Sequence, residues 1–82
     1  MDAIANGVID VLKNVSRRPI EPLLASDLVA DLGFDSLQVQ EVIAELEDRF
    51  DLSIPVDAVP STRTVADVVE LVARLVEHRS NA

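Results

Sequence analysis

The stretch Asp31-Leu32-Gly33-Phe34-Asp35-Ser36-Leu37 holds the one serine whose surroundings suggest chemistry. A helical pattern begins at Ser36, and Gly33 allows the tight backbone that turns a loop into a helix start. A hydroxyl at that point lies near backbone N–H groups that lack partners within the helix. Those donors and the positive end of the helix dipole favour a nearby anion by roughly 0.3–1 kcal/mol when exposed. The location suits a phosphate ester. The plainer reading of Asp-Ser before an apolar-periodic run is helix capping and nothing more.

Other chemistries find little support. His78 is the only histidine, and it falls on the polar side of a helix near the C-terminus. There is no cysteine, so neither a disulfide framework nor a thiolate metal site is available. Glu45 and Asp48 lie close in sequence but lack the spacing of a calcium loop, so no metal site is expected. Ser16, Ser26, Ser53, Ser61 and Ser80 fall in loops or at helix ends with no base to activate them. The chain does not read as an enzyme.

Three helices must position these residues. In the first, Ile4, Val8, Val11, Leu12 and Val15 recur at helical spacing, interrupted only by Gly7, which costs about 1 kcal/mol relative to alanine. It should stop near Ser16, before Arg17-Arg18-Pro19 and Pro22. Residues 17–34 read as a long connection with one irregular turn near Leu23 to Leu28. Its apolar Ile20, Leu23, Leu24, Leu28, Val29 and Leu32 suggest that it packs onto the bundle.

The second helix is expected from Ser36 to Phe50, with Asp35 as N-cap and Gln38 completing a capping box. At about 100° per residue, Val39, Val42, Ile43, Leu46 and Phe50 share one apolar arc. Glu41, Glu45 and Asp48 lie opposite, with Gln38 near them. Leu37 falls among these acids, an apolar side chain placed where water is expected. Pro55 and Pro60 limit the next connection to a short turn around Val56 to Val59. The last helix starts after Thr64, a plausible N-cap with Asp67 three residues on. Its stripe is Val65, Val68, Val69, Leu71, Val72, Leu75 and Val76, with Asp67, Glu70, Arg74 and Glu77 toward water. The valines follow a period of about 3.6 and not 2, so no strand is expected.

The whole is therefore all-α, and residues 1–82 form a single domain. Hydrophobic residues make up 49% of the chain and aromatics 2%, so the core must be aliphatic. With 7 basic and 15 acidic residues the net charge is −8. Such a surface repels nucleic acid and anionic membranes. It attracts basic patches over a Debye length of roughly 8–10 Å, unless the acids serve only to keep a small domain soluble. No secretory signal and no apolar run long enough for a membrane span is evident, which leads us to expect a cytoplasmic protein; it is also expected to be a monomer.

The segment Asp31 to Leu37 resembles the D-L-G-x-D-S-L attachment motif of the acyl carrier protein family. Glu41, Leu46-Glu47-Asp48, Phe50-Asp51, Ile54-Pro55 and Thr64-Val65 extend the resemblance, which covers about Leu28 to Val76. It implies a four-helix acyl-carrier-like bundle with three long helices, one short helix and a long loop between the first two. It also implies 4′-phosphopantetheine carried covalently on Ser36, holding acyl groups as thioesters for fatty-acid, polyketide or specialised lipid biosynthesis. The partners implied are a phosphopantetheinyl transferase and acyl-activating enzymes or synthase components with basic docking patches. The docking face would comprise Asp35, Leu37, Glu41, Glu45, Glu47 and Asp48, with Leu37 as apolar anchor and the carboxylates steering encounter.

The chain departs from the commonest fatty-acid pattern at Gln38, usually acidic, at Gln40, commonly apolar, and in the weakly acidic Val56-Asp57-Ala58-Val59. Phe34 before Asp35 is similar to polyketide-type carriers. Met1 followed by a full first helix, and the short tail Ser80-Asn81-Ala82, suggest a free protein and not a synthase fragment. The competing reading is an unmodified acidic helical interaction domain in which Ser36 only caps.

Overall fold

The computed structural model describes residues 2–80. Three α-helices and one 3-10 helix follow in order: α1 (Asp2–Val15), α2 (Ser36–Phe50), the 3-10 helix Val56–Ser61, and α3 (Val65–Ser80). The all-α expectation holds, since among the described residues the only extended pairing is an isolated antiparallel bridge between Asp27 and Thr64.

The apolar stripes meet in one core. Val8, Val11, Leu12 and Val15 of α1 pack with Val42 and Leu46 of α2 and with Val65, Val68, Val69 and Val72 of α3. Phe34, 2% exposed, contributes the bulkiest fully buried side chain. Phe50, the other aromatic, is half-buried where α1 crosses α2. Gly7 lies buried at that crossing, and a Cβ there would sit 2.6 Å from Phe50 Cζ. What reads in sequence as a weak point in α1 is a place where two helices approach closely.

The first connection differs from expectation in part. Leu28 and Leu32 are buried and Ile20 is half-buried, but Leu23, Leu24 and Val29 are 69%, 54% and 63% exposed. The reason is local. Residues 23–26 close a tight turn, with the Ser26 N–H donating to the Leu23 carbonyl and the Ser26 hydroxyl accepting from the Leu23 N–H. Side chains of such a turn splay outward. A helical turn follows, with the Asp31 and Leu32 N–H groups both donating to the Asp27 carbonyl. Its inward face carries Leu28 and Leu32, four apart, and leaves Val29 outside.

This connection is clasped to the start of α3. The Leu28 N–H donates to the Arg63 carbonyl, the Val65 N–H to Ser26, and the Ala66 N–H to Leu24, at 2.8–3.0 Å. The expected cap of α3 is present: the Asp67 N–H donates to Thr64 Oγ1 and the Thr64 N–H to Asp67 Oδ2.

Candidate functional site

Gly33 takes φ +74°, a backbone that an L side chain adopts only with strain, and so delivers the chain to α2. Its neighbour Phe34 is pinned by its N–H to the Leu28 carbonyl at 3.0 Å and by its buried ring. Asp35 then caps the helix. Its carboxylate accepts from the Gln38 N–H at 2.8 Å, and the Gln38 side-chain oxygen accepts from the Asp35 N–H at 3.3 Å. The reciprocal box draws Gln38 over the helix end, where it is 8% exposed. It therefore does not stand beside the acids, as its angular position suggests, because the cap overrides the wheel.

With the cap supplied by Asp35, Ser36 is left without a structural task. It is the first residue of α2, exposed, and its hydroxyl has no hydrogen-bonding partner among the described residues. It opens onto a surface groove of about 820 Å³ whose walls include Val29, Phe34, Val39, Ile43, Ile54 and Val56. An oxygen so placed can accept a bulky phosphodiester without displacing any protein contact. The residues present thus fit a phosphopantetheine group, with backbone donors at the helix end beside it.

Leu37, Glu41, Glu45 and Asp48 form one exposed ridge along α2, and Leu37 is 58% exposed. Arg17 approaches Glu41 at 4.0 Å, with both side chains largely in solvent, where such pairs contribute little. Glu47 is placed differently from the other acids. It is half-buried, and its Oε2 accepts from the Ile54 N–H at 2.8 Å, so this carboxylate anchors the loop after α2. Asp35, though exposed, is also engaged, in capping. His78 is exposed, and no group of three or more metal-ligating side chains occurs among the described residues.

Two carboxylates away from Ser36 titrate below the ordinary aspartate value of 3.8. Asp27 is held down by hydrogen bonds from the Ala30 and Val29 N–H groups, with a smaller contribution from Arg63. Asp67 is held down by the Arg63 and Thr64 N–H groups. Both belong to the clasp. Spacing alone does not reveal the groove, whose walls come from α2, the first connection and the 3-10 helix. The one hint is valine at positions 29 and 56, which helical packing leaves uncovered.

The family model for the phosphopantetheine attachment site matches residues 6–72. The acyl carrier protein of Amoebophilus asiaticus is 40% identical over 79 residues, covering 94% of this chain and 99% of that one. The meromycolate extension acyl carrier protein of Mycobacterium tuberculosis is 30% identical over 82 residues, covering 99% and 71%. Among solved structures, a Mycobacterium tuberculosis chain assigned to the acyl carrier proteins, Rv0033, superposes with a TM-score of 0.81. It is 34% identical, and the match covers 85% of this chain and 95% of that one. With the fold, the freed serine and these likenesses in agreement, the chain belongs to the phosphopantetheine attachment-site family, that of the acyl carrier proteins.

Proposed function

We propose that this carrier holds its acyl group on a 4′-phosphopantetheine arm esterified to Ser36 Oγ, and that the Leu37–Glu41–Glu45–Asp48 ridge is where its partner enzymes dock. One observation carries the reading. Asp35 caps the helix through the Gln38 N–H, and the adjacent Ser36 hydroxyl faces solvent with no partner among the described residues. When bound, the arm supplies a terminal thiol on which acyl groups are carried as thioesters.

The residues of the chain itself hold and present. Gly33 and Asp35 set the position of Ser36, and the α2 N-terminus favours the phosphodiester charge. A phosphopantetheinyl transferase would form the Ser36 Oγ–phosphorus bond from coenzyme A, the hydroxyl losing its proton and 3′,5′-adenosine diphosphate leaving. Leu37 offers a central apolar contact and the carboxylates a polar rim, the arrangement of an interface made and released quickly. Glu47 acts within this face by positioning the loop at Ile54. Fatty-acid and mycolate-type synthesis fits the relatives, and basic synthase components fit the net charge of −8.

The test is intact mass after incubation with coenzyme A, magnesium and a broad-specificity transferase. A gain of one phosphopantetheine, absent from Ser36→Ala, is the expected result. No gain under conditions that prime other carriers would leave an unmodified interaction domain as the reading.

A further inference from the structure

The acidic ridge of α2 has basic neighbours at the end nearer Ser36. Lys13, Arg17 and Arg18 follow one another closely in sequence with no acid among them. After α1 ends at Val15, a turn holds the two arginines: Ser16 Oγ donates to the Arg18 carbonyl and accepts from the Arg18 N–H at 3.3 Å. Arg17 leaves that turn toward α2 and brings its Nη2 to 4.0 Å from Glu41 Oε1. Arg18 lies against the chain that delivers Ser36, since a Cβ at Gly33 would sit 2.8 Å from Arg18 Nη2. Arg18 is exposed, and its side chain bonds to no described group, whereas Arg49 and Arg63 are paired with Asp10 and Asp27 at 3.4 Å. The acids on either side of Gly33, Asp31 and Asp35, accept the backbone N–H groups of Asp27 and Gln38 respectively. Farther along α2, Glu45 and Asp48 are exposed and make no ion pair among the described residues.

We infer that Arg17 and Arg18 make the docking face two-signed, so that it fits a partner enzyme whose basic patch is edged, on the side nearer Ser36, by a carboxylate. The inference rests on the α2 ridge being the docking face. An exposed pair at 4.0 Å is worth little in water, so Glu41 can exchange Arg17 for a partner's cation. Arg17 then stands beside the incoming cation with no counter-charge of its own. A patch that is basic throughout meets like charge at this end. A patch that offers a carboxylate there satisfies Arg17 and Arg18 while its cations meet Glu41, Glu45 and Asp48. The arginines thus add a repulsive element to an otherwise attractive face, and it is such an element that separates similar partners. A net charge of −8 alone carries no such distinction, because it draws every basic surface alike.

Two synthetic helical peptides serve as partners of known charge. Each carries a leucine and lysines spaced four, then three, residues apart to match Glu41, Glu45 and Asp48. They differ at one residue a turn beyond the lysine that faces Glu41, alanine in one and glutamate in the other. Dissociation constants come from titrating isotope-labelled protein and following the amide signals of Leu37, Glu45 and Asp48. The affinity of the glutamate peptide relative to the alanine peptide should fall about two- to fivefold in the double variant Arg17→Ala with Arg18→Ala, the size expected of exposed charge pairs. Arg74→Glu, exposed on α3, makes the same change in net charge and should leave the relative affinity where the wild type has it. An equal relative affinity in all three proteins overturns the two-signed face, as do peptides that move no ridge amide.

Priming by the transferase separates this failure from that of the ridge itself. Glu45→Gln with Asp48→Asn, two exposed positions, should raise the KM of the protein as substrate by about three- to tenfold while Ser36 is still modified at saturation. No rise in KM means that α2 is not the docking face, and the inference falls with it. A raised KM with an unmoved peptide ratio means that the ridge docks partners but its arginines do not select among them.

Discussion

Asp35 and Ser36 are adjacent, exposed and polar, yet they should respond to mutation in opposite ways. Asp35→Ala removes the side-chain acceptor for the Gln38 N–H and should cost about 0.5–2 kcal/mol, read by urea unfolding. Ser36→Ala removes a hydroxyl that bonds to no described protein group, so stability should change by no more than about 0.5 kcal/mol while priming is lost entirely. A large loss of stability in Ser36→Ala would mean that the hydroxyl holds the fold after all. Leu37→Ala belongs with Ser36. Its side chain is 58% exposed, so the variant should fold normally and bind its loading enzyme more weakly, mainly through faster dissociation in surface plasmon resonance.

At the level of elements, the α1–α2 crossing gives a prediction whose sign differs between sequence and structure. Helix propensity alone makes Gly7→Ala stabilising by about 1 kcal/mol. The methyl group would sit 2.6 Å from Phe50 Cζ, and overpacking of that kind typically costs about 1–3 kcal/mol. We expect net destabilisation in chemical unfolding, relieved in the double variant Gly7→Ala with Phe50→Leu. Additive effects would show that the two residues do not meet. The same crossing marks the boundary of what is legible in the sequence. The span of α2 can be read because its cap and apolar arc are local signals, and Ser36 because it follows that cap. Exposure of Leu23, Leu24 and Val29 cannot be read, since apolar type says nothing of the direction in which a turn points a side chain. Nor can the engagement of Glu47, because a hydrogen bond to Ile54 depends on how the loop folds back. The capping role of Gln38 is legible in the spacing, but the helical wheel misplaces its side chain because it ignores the cap's pull.

Taken as a whole, the molecule combines a net charge of −8 with two carboxylates that prefer to stay ionised. For Asp27 and Asp67 the folded pKa lies below 3.8, the value taken for the unfolded chain, so each contributes stability above that pH. The contribution is lost as pH falls from there through the depressed folded values. Asp67→Asn should therefore lower stability near neutrality and flatten the acid limb of a Tm-against-pH profile; an unchanged limb would contradict the assignment. Added salt should slow association with a basic partner by screening the α2 ridge. The clasp has a further, kinetic consequence. It joins Asp27 to Arg63, 36 residues apart, so its closure must wait until the chain between them has ordered. Weakening it with Asp27→Asn, which leaves its backbone hydrogen bonds in place, should accelerate unfolding in stopped-flow experiments while leaving the refolding rate nearly untouched, the signature of contacts that form after the barrier has been crossed.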